Sequence, residues 1–204
     1  MDIIKIILNN KIRNLLLASR PKQWTKNLIV FLAPLFAFTF ESSIWLRSSQ
    51  AFISFCFISS SIYLINDCID KRIDKKHPEK KYRAIASGLV STKAAVRLSL
   101  IFLIFSLWIG FNLNIGVGFI LIFYYSIQIL YCFYLKNIPL LEFFCIASGF
   151  IMRSILGGVA SNIEISPWFL LSVGMLSLFL AIEKRKAELV NGNKNNLIMR
   201  KVLK

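Results

Sequence analysis

Six apolar runs, each close to the length that crosses a bilayer, limit what this chain can fold into. Crossing about 30 Å of hydrocarbon takes about 20 helical residues, within a range of about 17–25. The runs extend from Leu28 to Leu46, Gln50 to Asn66, Ala94 to Phe111, Ile115 to Leu135, Pro139 to Ala160 and Pro167 to Ile182. Leu, Ile and Phe occupy all sides of them, with no strand alternation, so they read as lipid-embedded helices. Composition agrees, being 56% hydrophobic and 17% charged against about 25% charged in soluble domains. Intrinsic disorder and a disulfide scaffold are both excluded, since apolar content is high and Cys usage is ordinary.

The charges are sorted by position. The net charge is +15, and every cation except Arg47 and Arg153 lies in residues 1–27, residues 67–97, at Lys136 or in residues 183–204. With six spans these four segments fall on one side, which the positive-inside rule makes cytoplasmic. The expectation is an integral protein of the inner cell membrane with both termini cytoplasmic. No nucleic-acid partner is expected, because the basic residues flank apolar runs instead of forming a groove. Residues 1–27 read as an interfacial segment, since Asn9, Asn10, Lys11 and Arg13 interrupt any signal-peptide core. Residues 28–182 then form the membrane domain, with a cytoplasmic loop at 67–93 and a basic tail at 183–204. Homo-oligomerisation is left open.

The stretch richest in chemistry is Asn66-Asp67-Cys68-Ile69-Asp70-Lys71-Arg72-Ile73-Asp74, where span two leaves the bilayer. Asp67, Asp70 and Asp74 stand at i, i+3 and i+7, one face of a helix. Three carboxylates there repel each other unless a cation joins them. Mg²⁺ suits such hard oxygens, taking one or two carboxylates together with substrate phosphates. A Mg²⁺-bound diphosphate is the expected ligand, with Asp67, Asp70 and Asp74 as the metal and catalytic residues. The competing reading is a solvated helix end, its acids paired with Lys71, Arg72, Lys75 and Lys76.

This pattern, N-D-x-x-D-x-x-x-D between the second and third spans, resembles the first aspartate-rich motif of the UbiA superfamily of membrane prenyltransferases. Arg20-Pro21-Lys22-Gln23-Trp24-Thr25-Lys26-Asn27, His77-Pro78 and Tyr82-Arg83-Ala84-Ile85-Ala86-Ser87-Gly88 are similar to its decaprenyl-phosphate phosphoribosyltransferase-like branch. So are Tyr134-Leu135-Lys136, Ala147-Ser148-Gly149-Phe150, Arg153 with Gly157-Gly158, and the segment from Ala181 to Leu189. The resemblance implies an all-α polytopic bundle of UbiA-like fold, carrying six of the family's nine helices. It implies 5-phosphoribosyl diphosphate as donor, a polyprenyl phosphate as acceptor and Mg²⁺ as cofactor. The family's second aspartate cluster is replaced here by Glu183-Lys184-Arg185-Lys186-Ala187-Glu188, which favours a phosphate-rich ribosyl donor over an allylic diphosphate. An aromatic prenyltransferase is the alternative, and a truncated fragment or membrane scaffold is a third reading.

Lys26, Asn66, Arg83, Lys136, Glu142, Lys184, Arg185 and Glu188 complete the candidate substrate-binding set. Topology charges or snorkelling explain the basic ones equally well. Arg153 lies inside span five, where a charge must face the bundle or snorkel. A lone His77 and four Cys without C-x-x-C spacing point to no metal site.

Overall fold

The computed structural model describes residues 11–138 and 141–195. Five long helices are α1 (Ser42–Asp74), α2 (Thr92–Leu113), α3 (Ile115–Phe133), α4 (Leu141–Ser161) and α5 (Pro167–Asn195). All five are long and apolar enough to cross a membrane. Four of the six expected runs become α2–α5, with ends moved by one or two residues except that α5 continues past Ile182 to Asn195.

The first run departs from expectation: Leu28 to Leu46 is not one helix. The chain instead forms a 3-10 segment, Pro21–Phe31, then a short α-helical turn, Leu32–Phe36. Phe38 takes a left-handed φ of 49°, and α1 begins at Ser42, so Trp45 and Leu46 belong to the next helix. The traverse itself survives. Arg20 meets Asp67, Trp24 meets Ser60, Asn27 meets Ser59 and Cys56, and Phe31 meets Trp45. The segment thus runs antiparallel along nearly the whole of α1. A 3-10 helix rises about 2.0 Å per residue, so these two short pieces cover roughly 30 Å with few residues.

The local reason is a period of three. Side chains at i and i+3 eclipse in a 3-10 helix, and Trp24, Asn27, Val30 and Ala33 form one inward stripe. Asn27 and Val30 are fully buried. Gly157 of α4 lets this stripe approach, because a Cβ there would lie 2.2 Å from the Val30 carbonyl oxygen.

Helix α1, at 33 residues and about 50 Å, is longer than the hydrocarbon is thick, so one end projects. Its buried Ser54, Ser59, Ser60 and Ser61 are small enough for close helix approach. The Ser61 and Ser99 hydroxyls pair at 2.8 Å, and Ser106 donates to the Ser54 carbonyl at 2.7 Å, locking α1 to α2. The apolar core joins Phe55 and Ile58 of α1 to Leu121 and Tyr124 of α3 and Leu156 of α4. A smaller cluster, Ala18, Leu64, Ile85, Val90 and Ala95, packs the α1–α2 loop against the bundle. That loop is therefore folded. Gly88, at φ 88°, closes its turn, and Val90 N–H donates to the Ala84 carbonyl at 2.9 Å.

Candidate functional site

Asp67, Asp70 and Asp74 share one face of the α1 end, and all three are buried, at 3, 8 and 3% exposure. The solvated-end reading requires the opposite. Nor are the local lysines their partners, since Lys71 donates instead to Thr92 Oγ1 at 3.3 Å. Each carboxylate is met by a cation from outside the helix, Asp67 and Asp70 by ones distant in the chain and Asp74 by one nine residues on.

Arg20 grips Asp67 with two N–H groups, Nε to Oδ2 at 3.1 Å and Nη2 to Oδ1. Its backbone is left-handed, φ 54° and ψ 57°, immediately before Pro21. A non-glycine residue there costs about 1–3 kcal/mol, and a following proline adds to the conflict. The bidentate pair, with the guanidinium 5.3 Å over the Tyr63 ring, holds the turn in place. Arg83 comes from the folded loop. Its Nη1 donates to Asp74 Oδ2 at 2.7 Å and to Asp67 Oδ1 at 3.3 Å, bridging the two. Lys136, in the short connection between α3 and α4, donates from Nζ to Asp70 Oδ1 at 2.5 Å and is itself buried. Three carboxylates are thus balanced by three cations.

Other candidates fall elsewhere. Glu142 pairs with Arg185 at 3.5 Å and accepts from the Tyr131 hydroxyl at 3.3 Å, linking α4 to α5. Lys26 is on the exposed side of the 3-10 segment, so the buried neighbour Asn27 lines the interior in its place. Asn66 is half-buried beside Asp67. The side chains of Lys184 and Glu188 lie outside the described residues.

Arg153 faces the bundle interior. It donates from Nε to Asn27 Oδ1 at 2.8 Å, from Nη1 to the Gly149 carbonyl at 2.6 Å and from Nη2 to Tyr124 Oη at 3.3 Å. Its guanidinium lies 4.8 Å over the Phe55 ring. Those partners are neutral, and their effect is to pin the 3-10 segment to α3 and α4. That fixes where Arg20 begins its reach. Arg20 is the site residue that sequence reasoning missed. Its one signal is a cation directly before Pro21, in a segment already singled out by resemblance.

Among the described residues no group of three or more His, Cys, Asp or Glu side chains converges tightly enough to hold a metal. The donor chemistry nonetheless fits Mg²⁺. Asp67 and Asp74 already share one cationic nitrogen, and Mg²⁺ needs only one or two carboxylates when phosphates and waters supply the rest. On the outward side of the same helix end, Arg72, Ile73, Lys75, Lys76 and His77 line a groove of about 460 Å³, facing away from the aspartates. His77 Nδ1 accepts from the N–H groups of Glu79 and Lys80, at 3.2 and 3.3 Å. Burial, then neighbouring Lys80, hold its pKa below the ordinary 6.5.

Comparison with known proteins places the fold and the family. The chain is 40% identical to the decaprenyl-phosphate phosphoribosyltransferase of Mycolicibacterium smegmatis, over 95% of this chain and 63% of the relative. It is 38% identical to that of Corynebacterium glutamicum, over 91% of this chain and 58% of the relative. The chain therefore spans about three fifths of the length of these relatives. A UbiA homolog from Archaeoglobus fulgidus, solved with DMAPP and Mg²⁺, superposes with a TM-score of 0.77 at 19% identity, covering 90% of this chain and 67% of that one. Digeranylgeranylglyceryl phosphate synthase superposes at 0.69 with 23% identity, covering 92% and 67%. These likenesses show the fold. Residues 27–188 match the UbiA prenyltransferase family, and this integral membrane chain belongs to it.

Proposed function

We propose that the chain serves a Mg²⁺-dependent membrane transferase that moves 5-phosphoribosyl from phosphoribosyl diphosphate to a polyprenyl phosphate. The observation that carries the reading is the buried face of Asp67, Asp70 and Asp74, met by Arg20, Arg83 and Lys136. Such a face offers carboxylates to a metal and cations to phosphate oxygens within one site. The names of the 34–40% identical relatives support the ribosyl donor and the lipid phosphate acceptor. We place this face at the cytoplasmic leaflet of the inner membrane, with both termini cytoplasmic, on the sorting of the cations.

In this reading Asp67 and Asp74 hold the metal, and Asp70 orients Lys136. Bound Mg²⁺ supplies charge neutralisation to the departing diphosphate. Arg83 and Lys136 take phosphate oxygens and fix the donor for attack. The ribose C1–O bond to diphosphate breaks, its electron pair leaving with diphosphate, and a C1–O bond to the lipid phosphate forms. The acceptor is already an anion, so no general base is needed. Catalysis is positioning and charge stabilisation.

Incubating membranes that contain the protein with labelled phosphoribosyl diphosphate and polyprenyl phosphate tests this. Label entering the lipid phase only with Mg²⁺ is expected, with loss of about 10²-fold or more in Asp70→Asn. Label entering an aromatic acceptor from a prenyl diphosphate, with none from phosphoribosyl diphosphate, establishes the prenyltransferase reading instead.

A further inference from the structure

The cations hold Asp67 Oδ1 and Oδ2, Asp70 Oδ1 and Asp74 Oδ2, oxygens a metal would need, and those oxygens engage Arg20 Nε and Nη2, Arg83 Nη1 and Lys136 Nζ, donors a diphosphate would need. Arg83 Nη1 stands between Asp67 and Asp74, at 3.3 and 2.7 Å, and so engages both carboxylates that would hold a metal. Lys136 covers Asp70, and Arg20 covers both oxygens of Asp67. A divalent ion arriving alone adds charge to a balanced, buried cluster and leaves Arg83 without a counter-ion. A diphosphate arriving alone meets cations already committed and leaves buried carboxylates bare. Either half-step leaves charge unpaired at the site, the partly exposed Arg83 in the first case and the buried aspartates in the second.

We infer that Arg83, with Arg20, makes the site take metal and diphosphate only together, by exchange of partners. The guanidinium of Arg83 passes from the carboxylates to phosphate oxygens as the metal takes the carboxylates. Arg20 orients Asp67 and is a positioning residue. This rests on the donor-site reading above and adds a thermodynamic requirement to it: metal and diphosphate each tighten the binding of the other.

Equilibrium dialysis of the purified full chain in detergent tests the inference, with radiolabelled Mn²⁺ and inorganic diphosphate as probes. Wild-type protein is expected to bind Mn²⁺ at least about tenfold more tightly with diphosphate than without. Arg83→Gln uncovers Asp74 and leaves Asp67 to Arg20 alone, so it is expected to move the two affinities in opposite directions. Mn²⁺ alone binds about tenfold more tightly than to wild type, while diphosphate retained with Mn²⁺ falls by a similar factor. A residue that only supports the fold weakens both. Wild-type binding of Mn²⁺ that ignores diphosphate, or an Arg83→Gln protein with wild-type melting that loses both, overturns the inference. If Arg83→Gln does not fold, Arg83→Lys, which keeps the charge but lacks the guanidinium that bridges Asp67 and Asp74, is read by the same opposite-sign criterion. Failure of wild type to retain any diphosphate with Mn²⁺ present removes the donor-site reading itself, a result separate from loss of coupling.

Discussion

Removing one partner of a buried ion pair leaves a bare charge and costs about 3–5 kcal/mol, whereas removing both costs far less. Asp70 and Lys136 form such a pair. Lys136→Met is therefore expected to destabilise the protein by about 3–5 kcal/mol, and Asp70→Asn combined with Lys136→Met to restore most of it. Thermal unfolding of the two variants in detergent checks this, and equal stability of Lys136→Met and wild type contradicts it. His77 gives a second outcome. Its Nδ1 must be unprotonated to accept from Glu79 and Lys80, and its pKa is depressed by burial. A depressed histidine contributes stability that is complete above its unfolded pKa of about 6.5 and fades as pH falls through the folded value. Hydrogen exchange at the Glu79 and Lys80 amides is expected to speed up, relative to the intrinsic rate, as pH falls below the ordinary histidine value, and not in His77→Gln. The aspartate face was legible from spacing alone, because i, i+3 and i+7 fix a helical face whatever surrounds it. Arg83 and Lys136 were legible as candidate phosphate contacts but not as ion-pair partners of the aspartates, and Arg20 was not legible at all. Arg20 is 47 residues from Asp67 and Lys136 is 66 from Asp70, and only the packed bundle brings them together.

Helices α2–α5 were legible because uniform apolar runs between polar breaks leave the chain no alternative in a bilayer. The first run misled for a physical reason. Its apolar content is high, but its buried positions recur every three residues, and Phe38 breaks the path with a left-handed backbone. Length and hydropathy do not report that period. Gly157 is the contact through which this unusual segment docks. Gly157→Ala is expected to cost about 1–3 kcal/mol, because the added carbon meets backbone and not a side chain that can turn away. Gly174→Ala, whose carbon meets only the Ile151 side chain, Cδ1 at 3.3 Å and Cγ1 at 3.9 Å, is expected to cost less. Melting temperatures of the two variants decide the point. The same displacement loosens Asn27 from Arg153, the tie that sets the start of the 3-10 segment and so the reach of Arg20.

The bundle alternates its ends, so the aspartate face, the folded 75–91 loop and Lys136 gather at one end. The 3-10 segment's exit, the α2–α3 turn at Asn114 and the α4–α5 connection at Asn162 gather at the other. With the four cysteines replaced, Asn162→Cys is expected to react with an impermeant maleimide in intact cells, and Lys80→Cys only after the membrane is opened. The reverse pattern places the site on the wrong side for a cytoplasmic donor. The concentration of carboxylates and cations at one end is what turns a membrane bundle into a candidate transferase. Equilibrium binding of labelled phosphoribosyl diphosphate to the purified chain, with and without Mg²⁺, tests that most directly. Mg²⁺-dependent binding that Asp67→Asn, Asp70→Asn and Asp74→Asn each weaken by about tenfold or more is the predicted result. Binding that needs no divalent ion, or that survives the three substitutions together, contradicts it.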